Sequence, residues 1–338
     1  MRMTRLAATA ALVTALIAGA GTAASAAPLR TTTAAAATAF PGVAADGASV
    51  TAESQVGSRT LNITINSPAV GTTVQVQLLL PPGWTSGSTS TTWPVLYLLH
   101  GCCDAFSGWT QNTNLEAQTA GAAAIIATPD GGPVGFYSNW LNNGAAGENY
   151  ETFTATELPQ ILQSGFHASH VQAIGGVSTG GGAALFIAAH NPGKYAAVAS
   201  YSGLDCTELG QSVTTIFAAM IRADVLPNNL WGPPFMNGAA WQQHDPCFLA
   251  AQFKGTPIFL SVGTGFTASG QQTTCPAGIG GNILESIVAT GVNQFANDLT
   301  SDGIGFTADF YQGGCHDWPF WQTAFTQSWP MLQSALGI

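Results

Sequence analysis

Gly176-Val177-Ser178-Thr179-Gly180 constrains the fold of this chain more than any other stretch. It follows a short apolar run, Val171 to Gly175, and leads into a helical pattern that opens near Gly181. A serine between two glycines, with a strand before it and a helix after it, is the pattern of a nucleophile elbow. The turn is too tight for side chains on either side of the serine. It lifts the Ser178 hydroxyl clear of the sheet and aims the N–H of Thr179 at a developing oxyanion. Gly180-Gly181-Gly182 could instead cradle a phosphate, but no Lys follows it as the Walker pattern requires.

The rest of the pattern agrees with an elbow at the edge of a buried sheet. Val95 to Leu99 and Ala123 to Ala127 are short continuous apolar runs, as expected of strands covered on both faces. Ala196 to Tyr201, Ile258 to Val262 and Gly305 to Tyr311 continue the series. Thr60 to Ile65 and Thr73 to Leu80 read as an antiparallel opening pair. Helical patterns fall between the strands at Thr156 to Gln163, Gly181 to His190, Ile283 to Leu299 and Pro319 to Leu336. This alternation predicts a mostly parallel central sheet with helices on both faces, and with the elbow it points to an α/β-hydrolase fold. Residues 204–253 separate two strands by far more than a βα connection needs. They are expected to form a helical cap over the carboxyl edge of the sheet, beside the active site. Within the cap, Ile216 to Ile221 is the expected wall for an acyl chain.

In this fold the partners of the serine follow in the order acid, then histidine. Beyond Ser178 the histidines are His190, His244 and His316. His190 lies on the helix directly after the serine, too early for an acid to intervene. His244 lies inside the cap. His316 follows the last strand, where the general base belongs. The acid should follow Ile258 to Val262, yet residues 263–284 contain no Asp or Glu. Glu285 is the first carboxylate. Asp298, Asp302 and Asp309 lie within or approaching the last strand, on the wrong edge of the sheet, and Asp317 is too close to His316 in sequence to reach its Nδ1. The catalytic set is therefore Ser178, Glu285 and His316. The loop after the first central strand, His100-Gly101-Cys102-Cys103, should give the second oxyanion donor, the N–H of Cys102. His100 is either a buried structural imidazole or a substrate contact, and Trp318 and Trp321 are candidate substrate-binding residues.

The ends and composition limit the rest. Arg2 and Arg5, an apolar stretch from Leu6 to Gly19, and Ala24-Ser25-Ala26 predict an export signal over residues 1–26. Residues 27–45 are rich in Ala and Thr and read as a flexible leader. Residues 46–338 then form one domain with the cap at about 204–253. Only 7% of the chain is charged, with 17 acidic against 7 basic residues. That offers no basic surface for a nucleic acid, and no second apolar run reaches membrane length. Six cysteines in an exported chain predict disulfides, with no zinc-ligand spacing among them and no metal or organic cofactor expected. Cys206 and Cys247 bracket the cap, and Cys275 and Cys315 flank the last helix-and-strand unit, so these are the expected pairs. Cys102 and Cys103 either bridge each other or exchange with the others.

These residues resemble the esterase-D type of α/β-hydrolase, most closely the antigen 85 mycolyltransferases of actinobacteria. The resemblance runs from about Leu61 to Ser334. It rests on Tyr97-Leu98-Leu99-x-Gly101, Phe136-Tyr137-Ser138-x-Trp140, Glu151-Thr152-Phe153-x-x-x-Glu157-Leu158-Pro159-Gln160, Trp231-Gly232-Pro233, Trp241-x-x-x-Asp245-Pro246, Ile283-Leu284-Glu285 and His316-x-Trp318-Pro319-x-Trp321. It implies the same triad and the same oxyanion amides, on Cys102 and Thr179. The family's Asp-Gly-Leu-Arg is His100-Gly101-Cys102-Cys103 here, so both charges associated with the sugar acceptor are missing. The expectation is a secreted serine ester hydrolase or acyltransferase acting on a lipid-like acyl ester, with a sugar as a further possible acceptor. A trehalose mycolyltransferase, a peptidase on the same fold and a catalytically silent surface-binding protein are the alternatives.

Overall fold

The computed structural model describes residues 42–87, 90–141 and 148–338. The expected export signal and all but the last residues of the leader lie outside them. Nine strands form one sheet: β1 (Ser49–Gln55), β2 (Thr60–Ser67), β3 (Thr72–Leu79), β4 (Trp93–Leu99), β5 (Ile125–Pro129), β6 (Ala168–Val177), β7 (Val198–Tyr201), β8 (Ile258–Gly263) and β9 (Thr307–Tyr311). Their order is β1-β2-β3-β5-β4-β6-β7-β8-β9. β1 to β3 are antiparallel to their neighbours, and every pairing from β5 through β9 is parallel.

The apolar runs explain the central strands. Val95, Tyr97 and Leu99 of β4 enter the core on one face, and Leu96 and Leu98 enter the core on the other. A strand exposes alternate residues to opposite faces, so a strand sandwiched between helices must be apolar at every position. The principal helices are α1 (Leu158–Gly165), α2 (Thr179–His190), α3 (Gly210–Arg222), α4 (Gly238–Gln243), α5 (Gly278–Ser301) and α6 (Trp318–Leu336). Side chains of α1, α2 and α5 fill one core, and Trp321, Phe325, Trp329 and Leu332 of α6 fill the other with Trp109 and Leu115.

β1 does not stand out in the sequence. None of its seven residues is buried, and its pairing with β2 is irregular between Val50 and Ala52. An edge strand supported through backbone hydrogen bonds needs no apolar alternation, so periodicity does not reveal it.

Residues 204–253 hold α3, α4 and two short 3₁₀ turns. The stretch Ile216 to Ile221 does not act as one wall. Helical periodicity sends Ile216 and Met220 into the core and leaves Ile221 exposed. The stripe facing the cavity is Thr215, Ala219 and Arg222, residues on one side of a helix.

This segment is tied to the helix behind the elbow through His190, the last residue of α2. Its Nδ1 lies 2.6 Å from Glu151 Oε1 and its Nε2 lies 2.7 Å from the Gln243 carbonyl. Both neighbours only accept hydrogen bonds, so the doubly protonated ring satisfies both. The bond to Glu151 raises the His190 pKa against the opposing effect of burial. His190 therefore contributes stability that is fully present below its unfolded pKa of about 6.5 and is lost as pH rises through the raised folded value. In urea melts, His190→Gln should destabilise the protein most at about pH 6 and least at about pH 9. A penalty independent of pH would show that the imidazolium is not the stabilising form.

Candidate active site

The elbow is built by close backbone approach. Ser178 sits between β6 and α2 with φ 55° and ψ −123°, a conformation that costs an L residue free energy. A Cβ on Gly176 would strike the Gly180 carbonyl, and one on Gly180 would strike the backbone of Leu99 and His100. The two glycines are thus a steric requirement of the turn. Ser178 N–H donates to the Tyr201 carbonyl at 3.0 Å, which fastens the turn to the end of β7.

At the carboxyl edge of the sheet three side chains from distant elements line up. His316 Nε2 lies 2.8 Å from Ser178 Oγ, and His316 Nδ1 lies 3.0 Å from Glu285 Oε2. Glu285, in the second turn of α5, is fully buried. Its other oxygen accepts from Ser202 Oγ at 2.9 Å and from the Gly263 N–H at 2.8 Å. A buried carboxylate is tolerated only when its lone pairs are occupied, and here both oxygens have donors. The other candidate carboxylates have different partners: Asp317 caps α6 by accepting from the Trp318 N–H, Asp309 accepts from Ser261 Oγ, and Asp298 accepts from Gln294 Nε2.

His316 is fixed on the main-chain side as well. Its N–H donates to the Gly281 carbonyl on α5. Asn282, buried one residue on, donates to the carbonyls of Gly265, Thr273 and Gly314. A Cβ on Gly281 would lie 2.6 and 2.8 Å from the sulfurs of Cys275 and Cys315, which are bridged. The acid's helix and the histidine loop are therefore clamped together at the residues that meet in the site.

On the other side of Ser178 the loop after β4 comes close. A Cβ on Gly101 would lie 2.9 Å from Ser178 Cβ, so the Gly101 backbone passes close against Ser178. Thr179 and Cys102 both line the cavity that contains Ser178 Oγ.

Of the two readings of His100, the geometry matches the buried structural imidazole rather than the substrate contact. His100 is 1% exposed and does not line the cavity. Its Nδ1–H donates to the Gly101 carbonyl at 2.8 Å, and its Nε2 accepts from the Gly131 N–H at 3.3 Å. The reason is geometric: His100 ends β4 pointing into the protein, where its two ring nitrogens satisfy backbone groups of two loops. Tyr137 adds a third tie, accepting from the His100 N–H and donating to the Pro129 carbonyl.

Trp318 and Trp321 both line the cavity. Trp321 is 8% exposed and packs edge-on to His316, ring centroids 5.0 Å apart. Its role is to wall the imidazole. Trp318 is half-buried and donates from Nε1 to Asp104 Oδ2 at 3.2 Å. The cavity has a volume of about 280 Å³, near the lower end of the usual range for small-molecule sites. Away from Ser178 it is walled by Leu204 and Ala219 on one side and by Leu284, Ile287 and Val288 of α5 on the other.

Comparison with known proteins places this arrangement. The Esterase family model matches residues 67–332. Diacylglycerol acyltransferase/mycolyltransferase Ag85A of Mycobacterium tuberculosis is 31% identical over 291 residues, covering 81% of this chain and 80% of the relative. Ag85B of Mycolicibacterium smegmatis is 29% identical over 290 residues, covering 81% of this chain and 84% of the relative. Among solved structures, Mycobacterium tuberculosis MPT51 superposes with a TM-score of 0.62 at 23% identity, covering 80% of this chain and 96% of that one. An S-formylglutathione hydrolase from Agrobacterium tumefaciens superposes at 0.64 and 14% identity, covering 85% and 99%. The sheet order, the elbow at its carboxyl edge and these matches agree: the chain has the α/β-hydrolase fold, belongs to the esterase family and has antigen 85 acyltransferases among its relatives.

Proposed function

We propose that this chain is an exported serine enzyme that cleaves a carboxylic ester through an acyl-enzyme on Ser178 and passes the acyl group chiefly to water. The observation that carries the reading is the unbroken contact series Ser178–His316–Glu285 at the wall of an apolar cavity. Glu285 accepts from Nδ1–H of His316, which leaves the Nε2 lone pair facing Ser178 Oγ. The imidazole removes the hydroxyl proton as oxygen attacks the ester carbonyl, and the N–H groups of Cys102 and Thr179 receive the oxyanion. His316 then protonates the departing alcohol and activates water in the second half. The acyl chain lies along Leu204, Ala219, Leu284, Ile287 and Val288. The matching serine, histidine and acid positions favour an enzyme over a silent binding protein.

Acyl transfer to a hydroxyl acceptor such as a sugar is the second reading, favoured by the similarity to the diacylglycerol acyltransferase/mycolyltransferases Ag85A and Ag85B. Against it, the positions that are charged in that family are His100 and Cys103 here, and His100 is turned away from the cavity. A p-nitrophenyl ester series run with and without trehalose separates the two. Each methylene buried in the cavity contributes about 0.8 kcal/mol, so kcat/KM should rise about fourfold per methylene until the cavity fills. The free acid should remain the main product when trehalose is added. Negligible ester hydrolysis beside efficient trehalose acylation would replace this reading with a mycolyltransferase.

A further inference from the structure

The loop that supplies the Cys102 N–H has a feature that the triad does not use. Gly101, Cys102, Cys103 and Asp104 form a turn closed by the Asp104 N–H on the Gly101 carbonyl at 3.4 Å. Cys103, the third residue, has φ 66°. Left-handed backbone at that position of a turn is where glycine is normally found, because a Cβ there is strained. The chain nevertheless places a cysteine there and bridges it to its neighbour, Cys102. The bridge closes a ring through the 102–103 peptide, so the backbone cannot leave this turn while the ring is intact. The closing hydrogen bond is long and weak, and His100 holds only the Gly101 end of the loop. Beyond the bridge, Asp104 is tied to Trp318 Nε1, so the covalent ring is what fixes the Cys102–Cys103 peptide between these two anchors.

We propose that the Cys102–Cys103 bridge is the positioning element of the oxyanion hole, and that an external thiol switches catalysis off by opening it. The inference rests on the reading of Ser178 as nucleophile. The chemistry is thiol–disulfide exchange. A dithiol such as dithiothreitol attacks one sulfur as its thiolate, breaks the S–S bond, and leaves as its own cyclic disulfide. Its two electrons and two protons end on Cys102 and Cys103 as thiols. Access favours this bridge over the other two. Cys103 is exposed, whereas Cys247 and Cys275 of the other bridges are only half-buried like Cys102, and their partners Cys206 and Cys315 are buried at 1% and 0% exposure. Once the ring opens, Cys103 relaxes out of the left-handed region and the Cys102 N–H turns away from the oxyanion.

The test is limited treatment of the full chain with dithiothreitol, followed by turnover measurement and then alkylation and peptide mapping. The expected result is a kcat loss of about 10²-fold, the usual effect of losing one oxyanion donor, with KM little changed. The loss should track reduction of Cys102 and Cys103 while Cys206, Cys247, Cys275 and Cys315 remain bridged. Cys102→Ala/Cys103→Ala should show the same loss without treatment. Cys102→Ala/Cys103→Gly, which restores a residue at ease with positive φ, should recover at least about tenfold of it. Unchanged kcat after selective reduction, or equal kcat in the two double variants, would overturn the inference. The same samples are labelled with an alkyl phosphonate. Labelled Ser178 with thiol-insensitive turnover refutes the inference alone, whereas no label on Ser178 in untreated protein refutes the functional reading and the inference with it.

Discussion

Ser178→Ala should lower kcat by about 10⁴-fold or more while leaving the fold and thermal midpoint nearly unchanged. The hydroxyl is the atom that attacks, and its removal leaves a methyl group in the same strained turn. His316→Ala should cost a similar factor, and the double variant should be little worse than either, because the groups act as one unit. Glu285→Gln tests the acid separately. Its oxygen can still accept from Ser202 Oγ and the Gly263 N–H, so the amide –NH₂ faces His316 Nδ1. That forces the proton onto Nε2, the nitrogen that must accept from Ser178, and about 10³- to 10⁴-fold of kcat should be lost with little change in stability. Steady-state hydrolysis of a p-nitrophenyl ester with circular dichroism of each variant checks all three. Near-normal activity in Ser178→Ala would end the account. Full activity in Glu285→Gln would move only the acid.

The second large effect is on stability. Cys206 and Cys247 are bridged and stand 41 residues apart, and the chain-entropy model gives such a cross-link about 4 kcal/mol. Cys206→Ala/Cys247→Ala should therefore lower the thermal midpoint by about 7 °C. The bridge joins the start of residues 204–253 to the turn that follows α4, and a Cβ on Gly291 of α5 would lie 3.3 Å from the Cys206 backbone. Leu204 and Ala219 line the cavity within that segment, so kcat/KM for longer acyl esters should fall more than for acetate esters. Scanning calorimetry of the variant beside the parent is the check. An unchanged midpoint would mean that packing of Trp231, Trp241 and His244 alone sets the segment's stability.

What could be read from the sequence, and what could not, follows from the range of the interactions involved. The elbow was legible because its pattern lies within five consecutive residues, although only Gly176 is required by contact inside the turn, Gly180 being required by the backbone of Leu99 and His100. The central strands were legible because burial on both faces leaves continuous apolar runs. Glu285 and His316 were legible through chain order, although 138 residues separate the atoms of Ser178 and His316 that meet. Ser202 and Asn282 were not. Ser202 acts by one hydrogen bond to Glu285, and Asn282, on α5, by contacts with three loop carbonyls; neither residue type carries a periodic signal. Ser202 has φ 47°, a strain visible only in the folded backbone. The placement of His100 was likewise open in the sequence, since a histidine at a strand end can face inward or outward. Its inward turn follows from Gly101 and Gly131 offering a carbonyl and an N–H to its two nitrogens. The cavity wall was read as a run of apolar residues, yet only the one helical stripe through Ala219 faces the cavity.

The central claim is that Ser178 is a nucleophile activated by His316 and Glu285. The measurement that meets it most directly is reaction of the full chain with an alkyl fluorophosphonate, followed by intact mass and peptide mapping. The account predicts one adduct per chain, located on Ser178, absent in Ser178→Ala and slowed by at least about 10³-fold in His316→Ala. An adduct on another residue, or equal labelling rates with and without His316, would contradict it.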